Sequence, residues 1–212
     1  MIVKNRKLKI VFVAALIAVA LCGAAAVGFL LYVSPPKDDV GDFDYPSEFF
    51  CKTEENRIDF QTDGKCAAYA SAYLLRFFGE NVSGEELAPE IGRIFGFVPA
   101  RKIAEVLNRR GYRAKVCRGS VDTLKRRLTE GNPIIVFIRI PRDTHYAVVV
   151  GYDERNIYLA DSLSENANAS DERYNRALTT EEFETVWKTG LLPDNIYIIT
   201  ARDTSSARGN ER

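Results

Sequence analysis

The sequence holds a single histidine, His145, and no two of its four cysteines form a Cys-x-x-Cys pair. Structural zinc sites draw their ligands from clusters of such residues, so a zinc centre is not expected, and no other metal or cofactor is called for. Acidic residues are missing from the whole stretch before Asp38, whereas Lys4, Arg6, Lys7 and Lys9 all lie there. Formal net charge over the chain is zero, so the portion after the first forty residues is mildly acidic. That balance offers no basic surface for nucleic acid. No internal repeat is present.

What the sequence does have is a long uncharged apolar run, Ile10 to Val33. A helix of about 20 such residues spans a bilayer core. A cleaved signal peptide is the alternative, with Ala24, Ala25 and Ala26 as a small-residue cleavage site. The run continues through Val27, Phe29, Leu30 and Leu31, however, so an uncleaved anchor is expected. The basic segment 1–9 then stays cytoplasmic and the remainder lies outside the cell membrane, a single-pass arrangement. Ser34, Pro35 and Pro36 open a stiff polar spacer. With the domain outside, Cys51 and Cys117 are available to pair, leaving Cys66 free; sequence alone leaves the connectivity open.

The organisation read from the chain is a basic segment 1–9, an anchor 10–33, a spacer and arm 34–55, a domain 56–201 and a polar tail 202–212. Residues 41–60 read as an extended arm, with a short strand near Asn56–Phe60. Ala67, Ala70, Tyr73, Leu74 and Phe77 recur at helical spacing and predict a helix from Cys66 that ends near Gly79. Ser83 and Glu86 form a capping-box pattern for a helix from about Glu85 to Phe95. Pro99 opens another helix, with Ile103, Val106 and Leu107 inward and Gly111 at its end. A strand over 112–117 and a helix marked by Val121, Leu124 and Leu128 follow. Residues Pro133–Arg139, His145–Gly151 and Asn156–Ala160 then read as strands by length and β-branching. Residues 162–178, rich in Ser, Asn and charge, read as a surface loop. A short helix over Thr180–Lys188 and a strand over Asn195–Thr200 close the chain. Helices first and a strand meander second is an α+β layout.

Chemistry gathers at the seam between the turn Gln61–Lys65 and the first helix of the domain. Cys66 falls in that helix's first turn, where unpaired N–H groups and the positive dipole end favour a thiolate. A nucleophilic cysteine needs a base, and the base needs a third group to hold its tautomer. His145 begins one strong strand and Asp161 ends the next. If those strands pair as a hairpin, the two side chains become neighbours. Gln61 and the Cys66 N–H are then placed to bind the oxygen of a tetrahedral intermediate. Each residue also has a plainer role. Cys66 can be a small buried hydrophobe, His145 a strand-end residue bonded to a carbonyl, Asp161 a strand stop and Gln61 a turn residue. Their joint order and placement favour the catalytic reading.

From about Asp59 to Thr200 the chain resembles papain-type cysteine peptidases of the bacteriocin-processing, double-glycine leader group and their stand-alone relatives. The resemblance rests on Gln61-x-x-x-x-Cys66, the run His145–Gly151, the Asp161 that follows a strand, and Gly131–Val136. It implies a papain-like cysteine peptidase fold, a bacterial setting and a peptide or protein substrate. It also implies Gln61 as oxyanion donor, Cys66 as nucleophile, His145 as general base and acid, and Asp161 as its orienter. Two positions depart from the family's habit: Ala67 stands where glycine is common, and Ser162 where proline is common. An extracytoplasmic thiol hydrolase is the leading reading. Acyl transfer by the same residues, as in transglutaminase-like enzymes, and a non-catalytic peptide-binding module on this fold are the alternatives.

Overall fold

The computed structural model describes residues 2–52, 56–94, 96–190 and 194–203. By internal contacts the chain divides into two units, Met1–Ser34 and Pro35–Arg212. The first is one helix, α1 (Ile2–Val33), whose stretch Lys9–Tyr32 is long and apolar enough to cross a membrane.

The second unit is an α+β domain. Its elements are β1 (Phe49–Phe50), α2 (Cys66–Phe77), α3 (Gly84–Ile91), α4 (Ala100–Arg109), β2 (Tyr112–Arg118), α5 (Val121–Leu128), β3 (Ile134–Ile140), β4 (Asp143–Tyr152), β5 (Asn156–Ala160), β6 (Arg176–Thr179), α6 (Thr180–Trp187) and β7 (Ile196–Arg202). Among the described residues, β2, β7, β3, β4, β5 and β6 lie side by side in that order, all antiparallel, and β1 pairs with the far end of β4.

The unbroken apolar runs of β3 and β4 are explained by burial on both faces. Ile135, Val148, Val150 and Ile198 pack with α2, α3 and α4 residues such as Leu74, Leu87, Ile103 and Leu107. Their neighbours Ile134, Val136, Ala147, Val149 and Tyr197 pack with Val121, Leu124 and Leu128 of α5 and Phe183 and Trp187 of α6. The period-2 alternation thus divides one sheet between two cores. The α2 helix lies on the first face, tightly enough against α3 that a Cβ on Gly84 would meet the Tyr69 ring at 2.2 Å.

Capping chemistry sets several helix starts. Ser83 with Glu86 forms the expected box before α3, Ser120 with Thr123 one before α5, and Thr179 with Glu182 one before α6. The end of α3 differs from expectation: it stops at Ile91, because Gly92 turns to φ +61 and releases the chain. The expected Phe95 terminus lies outside the described residues.

The stretch before the expected domain start also differs. The short strand is at Phe49–Phe50, while residues 56–60 are irregular. Phe50 rests where Gly151 lacks a side chain; a Cβ there would meet its ring at 2.3 Å. Asp38, expected in a polar spacer, is buried, bonded by both oxygens to Arg127 at 2.8 Å and accepting from Tyr197 Oη at 2.6 Å. Cys51 and Cys117 are both buried free thiols, and β7 runs between β2 and the column of β1 and β3. Strands lie about 4.8 Å apart, so two spacings exceed the reach of a disulfide. The pairing considered for them is therefore absent. Of the polar tail, residues beyond Asp203 lie outside the described residues; Arg202 itself is the last residue of β7 and donates to the Phe78 carbonyl.

Candidate active site

Cys66 is the first residue of α2. No side chain caps that helix end; the Ala68 N–H bonds the Lys65 carbonyl at 2.9 Å, and the N–H groups of Cys66 and Ala67 are left to a ligand or solvent. The turn before it is unusual in carrying two successive left-handed residues, Asp63 at φ +53 and Gly64 at φ +63. Aspartate tolerates that region through its short polar side chain, and glycine adopts it freely. Two side chains from the α3 region hold the turn. Glu85 accepts from Thr62 at 3.2 Å, Lys65 at 2.7 Å and Tyr69 at 2.8 Å, and Arg93 donates to the Gly64 carbonyl at 2.8 Å. These contacts fix the backbone path into Cys66.

The hairpin of β4 and β5 supplies the partners. Val148 stands opposite Ala160. One step beyond, Ala147 faces Asp161, and His145 becomes that residue's diagonal neighbour, within reach of an imidazole. His145 Nε2 and Asp161 Oδ1 are 2.7 Å apart, with the two side chains 1% and 0% exposed. The Cys66 sulfur lies near enough to the His145 ring to favour its protonated form. With Nε2 committed to Asp161, Nδ1 is the nitrogen left to face the sulfur. Burial works against a charged ring here. The Asp161 carboxylate and the Cys66 sulfur outweigh it and push His145 up to about 9. Burial likewise opposes the Asp161 charge, but His145, the Leu163 N–H and Arg176 pull that carboxyl down to about 2.

The structure therefore brings His145 and Asp161 together, as the hairpin argument required, and the start of α2 sets Cys66 beside the same ring. Gln61 sits at the start of the held turn. Its backbone N–H donates to the Ser162 carbonyl at 2.8 Å, and its Oε1 accepts from the Ser162 hydroxyl at 3.0 Å. Its Nε2 has no protein partner among the described residues.

Residues 162–178, expected as a surface loop, contain the support that sequence reasoning missed. Ser162, Asn175 and Arg176 are buried. Asn175 Oδ1 accepts the Asp161 N–H and its Nδ2 donates to the Asp161 carbonyl, both at 2.8 Å. Asn166 Nδ2 reaches Asp161 Oδ2 at 3.1 Å and Arg176 Nη1 reaches it at 2.8 Å. The loop folds back because Asn175 N–H bonds the Leu159 carbonyl and β6 pairs with β5. Polar composition misled here: those polar groups face a buried carboxylate. The one available signal was Arg176 opening an alternating Arg-Ala-Leu-Thr stretch before α6.

Among the described residues no group of three or more His, Cys, Asp or Glu is placed to hold a metal ion. What the arrangement can do is hold a sulfur beside an imidazole ring whose orientation is fixed from behind by a carboxylate, next to a helix N-terminus.

Known proteins carry the same architecture. The peptidase domain of Streptococcus ComA, a bi-functional ABC transporter involved in a quorum-sensing pathway, superposes with a TM-score of 0.58 at 19% identity, over 70% of this chain and 99% of that one. A putative C39-like peptidase from Bacillus anthracis gives 0.56 at 15% identity, over 74% and 100%. A double glycine motif protease from an AMS/PCAT transporter, solved in complex with the leader peptide, gives 0.51 at 18% identity, over 69% and 94%. At such identities these neighbours establish the papain-like fold. No curated protein matches the sequence. The sequence itself matches the Peptidase C39-like family over residues 53–190, more than half its length. The chain belongs to that family, whose relatives include the double-glycine leader peptidases.

Proposed function

We propose that this protein is a membrane-anchored cysteine peptidase, bacterial and extracytoplasmic, with Cys66 as nucleophile. The observation that carries the reading is the His145 Nε2–Asp161 hydrogen bond, with the Cys66 sulfur beside the same ring. The Cys66 sulfur attacks a peptide carbonyl, an S–C bond forms, and the carbonyl electron pair moves to oxygen. The Cys66 N–H and Gln61 Nε2 stabilise that oxygen, a contribution worth about 10²–10³ in turnover per donor elsewhere. On collapse the C–N bond breaks and the imidazolium proton passes to the departing amine. Water then attacks the thioester, gives a proton back to His145, and the S–C bond breaks to release the acid. Asp161 holds the ring throughout and keeps its charge.

A peptide substrate is supported by the leader peptide bound to the double glycine motif protease of the same fold. The anchor is residues 10–33, with the basic segment 1–9 cytoplasmic; apolar length and the lysines and arginine before it support this. The test is to incubate the full chain in detergent micelles with a peptide library and read adduct masses on Cys66. A thioester adduct lost in Cys66→Ser supports the reading. No adduct at Cys66, with the domain folded, contradicts it. Added amine appearing in the products would assign acyl transfer instead of hydrolysis.

A further inference from the structure

Asp161 and Ser162 are consecutive, and together they reach both sides of the proposed machinery. Asp161 takes the imidazole, while Ser162 takes Gln61 twice, once through its carbonyl and once through its hydroxyl. A glutamine amide has an acceptor end and a donor end of nearly the same shape, and the terminal torsion is broad and roughly two-fold. An oxyanion can be stabilised only if the donor end faces it; the other orientation presents a second negative oxygen. Something must therefore choose between the two. The backbone tie at residue 162 fixes where the Gln61 side chain starts. The Ser162 hydroxyl, on a residue only 6% exposed, then claims Oε1. That leaves Nε2 as the end without a protein partner.

We propose that Ser162 is a positioning residue: by donating to Oε1, its hydroxyl locks the Gln61 amide with Nε2 presented to the oxyanion formed at Cys66. This rests on the peptidase reading above. Proline, common at this position in the family resembled, would keep the carbonyl tie but has no hydroxyl, so the contact to Oε1 belongs to this chain. Asp161-Ser162 is then one dipeptide that orients the base with its first residue and the oxyanion donor with its second.

The experiment uses the full chain in detergent micelles and a fluorogenic peptide amide ending in Gly-Gly-aminomethylcoumarin. Ser162→Ala is expected to lower kcat by about tenfold or more, approaching the 10²–10³ of a lost donor, with KM unchanged. Ser162→Thr keeps the hydroxyl and is expected to restore kcat. In a Gln61→Ala background, Ser162→Ala should cost nothing further, because the two act as one unit. Iodoacetamide alkylation of Cys66 forms no oxyanion and should run at the wild-type rate in Ser162→Ala, which also reports an intact fold. Wild-type kcat in Ser162→Ala, an additive loss in the double variant, or failure of threonine to rescue would each overturn the proposal alone. A wild-type chain that alkylates at Cys66 but turns over no peptide would overturn the peptidase reading, and this proposal with it.

Discussion

Arg176 Nη1 lies 2.8 Å from Oδ2 of Asp161, the oxygen that His145 leaves to others. The carboxylate is thus shared between a guanidinium and an imidazole ring. Both partners are buried, and the shared charge is satisfied further by the Leu163 N–H and Asn166.

Removing one side of such a pair leaves a buried charge under-compensated, at about 3–5 kcal/mol. Arg176→Met is therefore expected to destabilise the domain by about 3 kcal/mol. For a domain of this size that is a fall in Tm of roughly 6–12 °C. Thermal melts followed by circular dichroism check it. An unchanged Tm would mean that His145 and the amides alone suffice to hold Asp161.

The pH dependence follows from two shifts of opposite sign. His145 is raised from 6.5 to about 9, so its contribution to stability is fully present below 6.5 and is lost as pH rises through 9. Asp161 is lowered from 3.8 to about 2, so its contribution is present above 3.8 and is lost as pH falls through 2. Both are in force between 3.8 and 6.5. Peptide turnover should accordingly decline on the alkaline side near pH 9, where the proton destined for the leaving amine is lost. Asp161→Asn should move that limb to lower pH and cut kcat by about 10²–10⁴-fold. A pH–rate profile of the two proteins measures both effects.

Asp38 makes a comparable bond far from the site. Burial opposes its charge, but Arg127 and Tyr197 outweigh this and hold its carboxyl below the usual range. Its contribution is present above 3.8 and fades as pH falls below that. Asp38→Ala is expected to cost about 3 kcal/mol at neutral pH and progressively less in acid. Urea unfolding at two pH values is the check.

How much of this was legible beforehand varies with the range of the interactions. The β4–β5 hairpin could be read because its signals are local: β-branched runs either side of a polar turn at Tyr152–Arg155. With the hairpin came the His145–Asp161 contact. Cys66 at the start of α2 followed from helical spacing alone. Asp38 could not be read, because its partner Arg127 lies 89 residues away and a carboxylate in a polar stretch after a long apolar run looks solvated. Asn175 and Arg176 were hidden for the same reason: their polarity answers a buried acid that only the folded sheet presents. A two-residue strand such as Phe49–Phe50 carries no period to detect, and its place is set by the bare backbone of Gly151. The early end of α3 was masked by the apolar Ile94 and Phe95 that continue the pattern past Gly92.

The central claim is that the Cys66 sulfur is set apart from the other domain thiols by the ring beside it. Burial pushes Cys51 up to about 12 and Cys117 up to about 11, so neither is a ready nucleophile. Site-resolved alkylation by iodoacetamide, read by mass spectrometry on the folded full chain at pH 6, tests this directly. The account predicts that Cys66 is modified far faster than Cys51 and Cys117, and that His145→Ala removes most of the difference. Equal rates at the three cysteines, or a Cys66 rate indifferent to His145, would contradict it.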